Sequence, residues 1–315
     1  AINQLAYLRA KMGQFDEARR LFERYAALNP GDANPLDSIA ELHVRMGRLD
    51  EAEARYREVL ELRPDFFGSC ASLFYVACLR EDYAGARRWI GELGARAPTP
   101  SARVEGAWLE AFLDYLLGRD EAALARLAAI GKQAEASGVA YFVATVDWIT
   151  AYILRDRGEG DAALASYNGF YLWGKNAGRG DPAYNDAALA FFAGWAEVDR
   201  GRPAEAGRRL AELASLLPDV GPSRMAQMSF LHGLLGAEVA LAEGDAARAV
   251  ALGRAIVFPD VPSHSTPTLA SYNQPWLKDV LARALWKRGE LDAAAAEYRK
   301  LMTIDPSNQV RMMIH

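Results

Sequence analysis

The sequence predicts an all-α solenoid of about eight helix-turn-helix repeats, from two recurring markers and an apolar pattern of helical period. The first marker is a residue that breaks each helical pair. These residues are Gly13, Gly47, Glu81, Gly118, Gly158, Gly201, Gly244 and Gly289. The second marker is an alanine five residues after each break, so both markers follow one series of steps: 34, 34, 37, 40, 43, 43 and 45. Such self-similarity is typical of repeat architectures.

Apolar residues at helical spacing place a first helix and a second helix in each repeat. The predicted spans are 1–12 and 15–28, 35–46 and 49–62, 67–80 and 83–96, 101–117 and 120–136, 139–157 and 161–176, 183–200 and 203–216, 222–243 and 246–257, and 273–288 and 291–303. The sequence shows no strand pattern. Loops are predicted at 178–182, 218–222 and 258–271, and the last, rich in proline, is the best candidate for a functional loop.

Each marker has a physical reason. The glycine suits a helix C-terminus, where a left-handed backbone conformation is favourable for glycine. The alanine lets the two helices of a pair approach closely. An aromatic residue on the second helix, as at Phe22, Tyr56, Tyr167 and Tyr298, is predicted to fill the gap to the next pair. Pro30 ends a second helix, because the residue before proline disfavours the helical conformation.

These features resemble the tetratricopeptide repeat. The clearest unit reads Leu36-x2-Ile39-Ala40-x2-His43-x3-Gly47-x4-Ala52-x3-Tyr56-x7-Pro64. The resemblance covers nearly the whole chain and implies one right-handed solenoid over 1–306, with regular 34-residue repeats in 1–100 and longer, degenerate repeats in 101–306. Asp147, Gly233 and Gly253 depart from the expected large residues. Residues 307–315 are predicted to begin a further helix or to form a C-terminal tail.

Composition and charge exclude several classes of protein. The chain has 36 basic and 41 acidic residues, and its net charge of −5 argues against nucleic acid as the main partner. A hydrophobic fraction of 51% is ordinary for a folded protein. No apolar run is long enough to span a membrane, and the first residues show no signal-peptide pattern, so a cytoplasmic location is predicted. The absence of an initial Met is consistent with a piece of a longer chain.

The sequence contains few candidates for catalytic, redox or metal-binding residues. Cys70 and Cys78 are predicted to be small buried hydrophobes, since eight residues of helix hold them too far apart for a disulfide. His43 is predicted to be a structural histidine at a repeat core position. His264, in the proline-rich loop, is either a ligand or a plain polar loop residue. No two histidines have metal-ligand spacing, and no nucleotide-binding or hydrolase motif occurs. The sequence therefore predicts no enzyme, no metal and no cofactor.

Aromatic residues are dense between 141 and 195. They either fill a core or line the concave face that first helices form in this type of superhelix. The predicted concave site comprises Glu41, Arg45, Tyr75, Trp108, Trp148, Tyr152, Arg155, Phe191, Phe192 and Trp195. Neighbouring inward positions are Tyr7, Lys11, Ser72, Leu79, Leu109, Glu238, Asp279 and Arg283. An aromatic centre with charged edges would suit an extended peptide or a small planar ligand.

Some members of this family grip a partner's C-terminal carboxylate with Lys, Asn and Arg on the first three repeats. Here those places hold Asn3, Tyr7, Ser38, Gly68 and Ser72, so that clamp is predicted to be absent. The leading hypothesis is a non-catalytic scaffold that binds a protein or peptide in its concave groove. The alternative is a sensory module that binds a small ligand, because the longer repeats resemble helical halves of bacterial signalling proteins. Exposed repeat ends leave oligomers possible.

Overall fold

The computed structural model describes residues 1–96, 99–136, 138, 140–176, 178, 181–258 and 278–303. These residues form sixteen α-helices, one short 3₁₀ turn (Leu217–Asp219) and no strand. The helices are α1 Ile2–Lys11, α2 Phe15–Leu28, α3 Ala33–Arg45, α4 Leu49–Leu62, α5 Phe67–Leu79, α6 Tyr83–Arg96, α7 Pro100–Leu116, α8 Asp120–Ala136, α9 Ala140–Asp156, α10 Gly160–Asn176, α11 Pro182–Asp199, α12 Pro203–Leu216, α13 Pro222–Ala242, α14 Ala246–Ala255, α15 Val280–Lys287 and α16 Leu291–Leu301.

The predicted all-α class is confirmed, and the first fourteen helices keep their predicted bounds to within two residues. The fifteenth differs, because Lys278 and Asp279 precede the helix instead of belonging to it. Asp279 occupies the N-cap, and its carbonyl accepts the first helical hydrogen bond, from the amide of Arg283 at 3.0 Å. The 259–271 part of the predicted proline-rich loop, with His264, and the predicted tail 307–315 lie outside the described residues.

All eight break residues of the described chain have a left-handed backbone. Their φ angles run from 58° at Glu81 to 83° at Gly244. At each one, the backbone N–H of the next residue donates to the carbonyl five residues before it, as when Arg48 N donates to His43 O at 2.9 Å. This pattern is the Schellman motif, which satisfies carbonyls that the helix end would leave unpaired. Glu81 is the only non-glycine residue with positive φ among the described residues.

The alanine marker is also confirmed, because all eight alanines are buried in the described structure. Each lies in the first turns of a second helix, where a larger side chain would force the two helices apart. The aromatic marker holds at Phe22, Tyr56 and Tyr167, which are buried. Tyr298, on the last described helix, remains 39% exposed.

Two further predictions about buried residues hold. Cys70 and Cys78 are free and buried, and burial raises the pKa of their thiols to about 11 and about 12. Both are therefore protonated at neutral pH and behave as apolar groups. His43 is half-buried, and burial lowers its pKa, so the neutral imidazole is favoured.

Contacts divide the described helices into two compact units. The first holds residues 1–142 with α1–α8, and the second holds 143–258 and 278–301 with most of α9 and α10–α16. In both units each helix pair packs on the next one along the chain. Whether residues 1–306 form one continuous solenoid stays a prediction.

The same ion pair links neighbouring hairpins in both units. In the first unit, Arg80 at the end of α5 pairs with Asp50 and Glu53 on α4. In the second unit, Arg200 at the end of α11 pairs with Asp161 on α10. Each arginine directly precedes a left-handed residue, and Asp50 and Asp161 each lie three residues after one. The repeat register therefore sets the position of charged contacts as well as apolar ones.

Glu81 provides a direct test of the left-handed turn. Glu81→Gly should raise the free energy of unfolding by ~0.5–1 kcal/mol, because a left-handed conformation strains a residue with a Cβ more than it strains glycine. The matched variant Gly47→Glu should lower it by a similar amount. Urea unfolding followed by circular dichroism measures both, and a loss of stability in Glu81→Gly would contradict the interpretation.

Candidate functional site

Aromatic residues apart, every buried polar or charged side chain in the described part of the chain lies on a first helix, the odd-numbered member of its pair. These residues are Ser38, Glu41 and Arg45 on α3, Ser69 and Ser72 on α5, Asp114 on α7, Thr145 on α9, Asn185 on α11 and Glu238 on α13. Burying a polar group is unfavourable unless a partner satisfies it. The first helices therefore carry the specific polar contacts of both units.

In the first unit, hydroxyl and amide groups connect α1 with α3. Tyr7 donates to Ser38 Oγ at 3.1 Å, and Ser38 donates to Asn3 Oδ1 at 3.4 Å. Burial and the nearby Glu41 carboxylate raise the pKa of Tyr7, which keeps its hydroxyl protonated. These three side chains occupy places of the predicted absent carboxylate clamp, and they bond to one another.

Three charged groups of the first unit are buried in ion pairs. Glu41 and Arg45 are joined along α3 at 3.2 Å. Asp114 on α7 accepts from Arg126 Nε of α8 at 2.9 Å and lies 3.8 Å from Arg87 of α6. Since removing one partner would leave a buried charge uncompensated, the contacts of Asp114 hold α7 in register with α6 and α8.

In the second unit, the aromatic residues predicted for the groove form a buried cluster. The Trp148 ring on α9 meets Phe170 at a centroid distance of 4.8 Å and Phe192 at 5.7 Å, in edge-to-face arrangements. Tyr167 stacks on Phe192 at 3.8 Å. The cluster joins α9, α10 and α11, so these rings provide packing between consecutive hairpins.

Asp147, next to Trp148, is half-buried where the repeat pattern expects a large apolar residue. Its carboxylate lies against α10 at Gly169, where an added Cβ would stand 2.5 Å from Asp147 Oδ2. Burial raises the pKa of Asp147. A second departure, Gly253 on α14, faces Leu281 on α15 in the same way, with 3.1 Å from an added Cβ to Leu281 Cβ. At Gly169 and at Gly253, the lack of a side chain allows two helices to approach each other closely.

Beside the aromatic cluster lies a set of charged residues that we call the charged wall, made of Arg155, Asp199, Glu238, Asp279 and Arg283. Arg155 on α9 forms a two-fold hydrogen bond to Asp199 on α11, at 2.8 and 3.0 Å. Arg283 on α15 pairs with Glu238 on α13 and, at 2.9 Å, with Asp279. The wall therefore consists of two sets of ion pairs, one between α9 and α11 and one between α13 and α15.

The two halves of the wall influence each other electrically. Burial raises the pKa of Glu238 and of Asp279, and the Arg283 guanidinium opposes this rise. Arg155 also favours the charged form of both carboxyls, so it lies within electrostatic range of them. The Arg155 guanidinium is 4.8 Å from the centre of the Trp195 ring, a cation–π arrangement that fixes its orientation.

A narrow crevice opens next to Arg155 and Asp199. Its other walls are apolar: Ala163, Leu164 and Tyr167 of α10 and Phe192, Trp195 and Ala196 of α11. The crevice thus has one charged end and an aromatic body. No group of His, Cys, Asp and Glu with metal-binding geometry occurs within the described ranges. None of the described helices has the length and hydropathy needed to cross a bilayer.

Two sequence-family matches fall at the two ends of the chain. Family models described as tetratricopeptide repeat match residues 9–73 and residues 279–308. This chain carries tetratricopeptide repeats. No curated protein sequence matches it significantly.

Solved structures share the fold at low identity. A tetratricopeptide repeat protein from Parabacteroides merdae is 15% identical, with 90% of this chain and 97% of that chain covered and a TM-score of 0.54. A Rap protein complexed with competence and sporulation factor is 14% identical, with 95% and 82% covered and a TM-score of 0.60. Both chains are similar to this one in their tetratricopeptide-type helical architecture.

The tetratricopeptide register explains where the predicted site residues lie. One row on the first helices stands six residues before each left-handed turn. It contains Tyr7, Glu41, Tyr75, Phe112, Tyr152, Trp195, Glu238 and Arg283. Of the ten predicted site residues, all except Arg155 are buried, and Arg155 is half-buried. Trp108 stacks on Phe112 of its own helix, and Phe191 meets Trp195 of its own helix edge-to-face.

Two residues on these first helices, Phe112 and Asp199, were not among the predicted site residues. Phe112 belongs to the six-before row of the fourth tetratricopeptide repeat, so strict use of the register would have found it. Asp199 stands two residues before its turn, in the place that Lys11 and Arg45 take in earlier repeats. Its ion pair with Arg155 joins two neighbouring hairpins, α9–α10 and α11–α12, and sequence spacing does not indicate such a contact.

The packing role of Trp148 predicts a large effect on stability. Trp148→Ala should lower the free energy of unfolding of the second unit by ~3–5 kcal/mol, because it removes a ring that several neighbours contact. Trp286→Ala, at a tryptophan that is 59% exposed, should change it by less than ~1 kcal/mol. Equal denaturation midpoints for the two variants would show that the cluster is not a core.

Arg283 predicts a pH-dependent loss of stability. Arg283→Leu should destabilise the fold by ~3 kcal/mol at neutral pH, because Glu238 then keeps a buried charge without its partner. The folded pKa of Glu238 lies above its unfolded value of 4.5, so the free energy of unfolding of the variant should rise as the pH falls toward that value.

The control for Arg283→Leu is the double variant Glu238→Gln/Arg283→Leu, which lacks the buried carboxyl. Urea unfolding at pH 7 and pH 5 should show a smaller pH response in the double variant than in the single one. Arg208→Leu, at an exposed arginine of α12, controls for loss of a positive charge. An identical pH response in all three variants would refute the assignment.

Proposed function

We propose that this protein is a non-catalytic scaffold that binds a protein or peptide segment along the faces of its first helices. The observation that supports this most is the charged wall, in which Arg155, Asp199, Glu238, Asp279 and Arg283 form two sets of ion pairs. One set joins α9 with α11 and the other joins α13 with α15. Together they offer a partner several fixed charges on successive first helices.

The wall is organised before a partner arrives. Arg155 is held by two hydrogen bonds to Asp199 and by the Trp195 ring, so little side-chain entropy remains to be lost on binding. Arg155, Arg283 and Asp279 are half-buried, and Asp199 is exposed, so water and a partner can reach them. Partly desolvated charges of this kind favour orientation and specificity of binding more than raw affinity.

The predicted aromatic positions support this surface from behind. Ring contacts fix α9 against α11, and they involve Trp148, Tyr152, Phe191 and Phe192. The Trp195 ring lies under the Arg155 guanidinium. The four predicted positions of the first unit, Glu41, Arg45, Tyr75 and Trp108, are buried as well, so in this proposal they support the equivalent helix faces in the same way. The Rap protein is a precedent for a bound factor on a similar helical architecture.

The test targets the accessible end of the wall. A partner captured from the source cell by the wild-type protein is identified by mass spectrometry, purified and titrated by calorimetry. Arg155→Ala should weaken its binding at least ~10-fold, as expected for a central charged contact. Arg208→Ala, which removes an exposed arginine from a second helix, should leave the affinity unchanged. Unchanged binding by a folded Arg155→Ala protein would refute the proposal.

A second candidate function rests on the crevice beside Arg155 and Asp199. In this conformation the crevice has room for little more than one water molecule, so a small planar ligand with a polar substituent would have to open it by separating α10 from α11. Ligand binding there would change the contact between the α9–α10 hairpin and α11. Leu164→Trp should block the crevice while leaving the charged wall in place. Loss of ligand-induced thermal stabilisation in this variant, with protein binding retained, would favour the sensory function.

A further inference from the structure

Three arginines converge in the first unit, where α7 packs against α6 and α8. They are Arg87 of α6, Arg119 in the turn between α7 and α8, and Arg126 of α8. All three form ion pairs with Asp114 of α7, which is buried. The arginine side chains themselves are between 41% and 55% exposed. A buried carboxylate therefore holds three guanidinium groups where a ligand can reach them, and we call these arginines the arginine triad.

The carboxylates at this place leave donors of the triad unused. Arg126 donates from Nε to Asp114 at 2.9 Å and from Nη1 to Glu110 at 3.0 Å. The contact of Arg119 with Asp114 is 3.5 Å long. Arg87 lies 3.7 Å from Glu110 and 3.8 Å from Asp114, and both distances exceed hydrogen-bond length. Every oxygen of the two carboxylates already faces a guanidinium, so the remaining N–H donors are available to a further acceptor.

The charges of this cluster are unbalanced. Three guanidiniums meet two carboxylates, Glu110 and Asp114, which leaves one positive charge in excess. The ion-pair clusters around Arg80 and Arg200 instead hold equal numbers of carboxylates and guanidiniums. The charged wall has an excess carboxyl, but raised carboxyl pKa values allow a proton to relieve that excess. An arginine has no such alternative, because its guanidinium does not lose its proton in proteins.

We propose that the arginine triad binds a phosphate monoester group. The three guanidiniums come from three different elements, and a phosphate monoester offers three terminal oxygens as acceptors. A carboxylate offers only two oxygens, in one plane, and so suits a single guanidinium fork. A phosphate monoester carries a charge of about −1.5 to −2 at neutral pH, which offsets the excess positive charge of the cluster. Its source is either a phosphorylated side chain of a partner protein or a free phosphate ester.

Nuclear magnetic resonance of the arginine Nε–H groups tests this proposal, because each signal reports on one guanidinium. The full chain is titrated at pH 7 and constant ionic strength with inorganic phosphate and with a short phosphoserine peptide blocked at both ends. The same peptide with serine or glutamate in place of phosphoserine serves for comparison. The signals of Arg87 and Arg126 should shift with both phosphate probes, with a Kd on the order of 1 mM for inorganic phosphate.

Variants of the cluster should change this affinity in opposite directions. Arg87→Gln should weaken phosphate binding at least ~5-fold, because it removes a charged donor that makes no short hydrogen bond within the fold. Glu110→Gln should strengthen it at least ~3-fold, because it removes a repelling carboxylate. The matched controls are Arg55→Gln and Glu58→Gln, at an exposed ion pair on α4, and both should bind as wild type. Circular dichroism verifies that each variant is folded.

The two sources of the phosphate group give different results. Tighter binding of the phosphoserine peptide than of inorganic phosphate identifies a phosphorylated partner, and equal binding identifies a free phosphate ester. The absence of a phosphate-dependent shift, a preference for the glutamate peptide, or equal effects of Arg87→Gln and Arg55→Gln would overturn the proposal. Arg155 belongs to the second unit and its partner is measured separately, so failure of either proposal leaves the other standing.

Discussion

The close approach of two helices at one alanine is the constraint on which this structure depends. The alanine lies a fixed five residues after a left-handed turn, so the turn and the contact set each other's position along the chain. Because this pairing recurs eight times in the described residues, every other contact acquires a register. The inter-hairpin ion pairs, the aromatic residues between hairpins and the polar row on the first helices all follow it.

This register also gives first helices and second helices different roles. Second helices bury an alanine and usually a large residue between hairpins, and their buried polar groups among the described residues are those of aromatic side chains such as Tyr56, Tyr167 and Tyr171. The buried charged, hydroxyl and amide side chains of non-aromatic residues lie on first helices, and in the second unit the charged ones bond across hairpins. A binding surface can therefore vary along the first helices without disturbing the contact that defines the fold.

The sequence was sufficient to predict the fold class, the bounds of most helices and the position of the break at Glu81, because these depend on local periodicity. It identified the helix face that holds Arg155, Trp195, Glu238 and Arg283. It left open whether Trp148 fills a core or lines a groove, since period alone says which face a residue occupies and not what covers it. Nor did it pair Arg155 with Asp199, because that contact depends on the spacing of hairpins in three dimensions.

The contact of Asp147 with Gly169 has a consequence for how such a repeat can evolve. If alanine appears first at 169, its methyl group collides with a carboxylate that must turn away from its half-buried place. If Asp147 is first replaced by a small residue, the space opens and alanine becomes acceptable. The two substitutions are therefore epistatic, and one order of mutation is more accessible than the other.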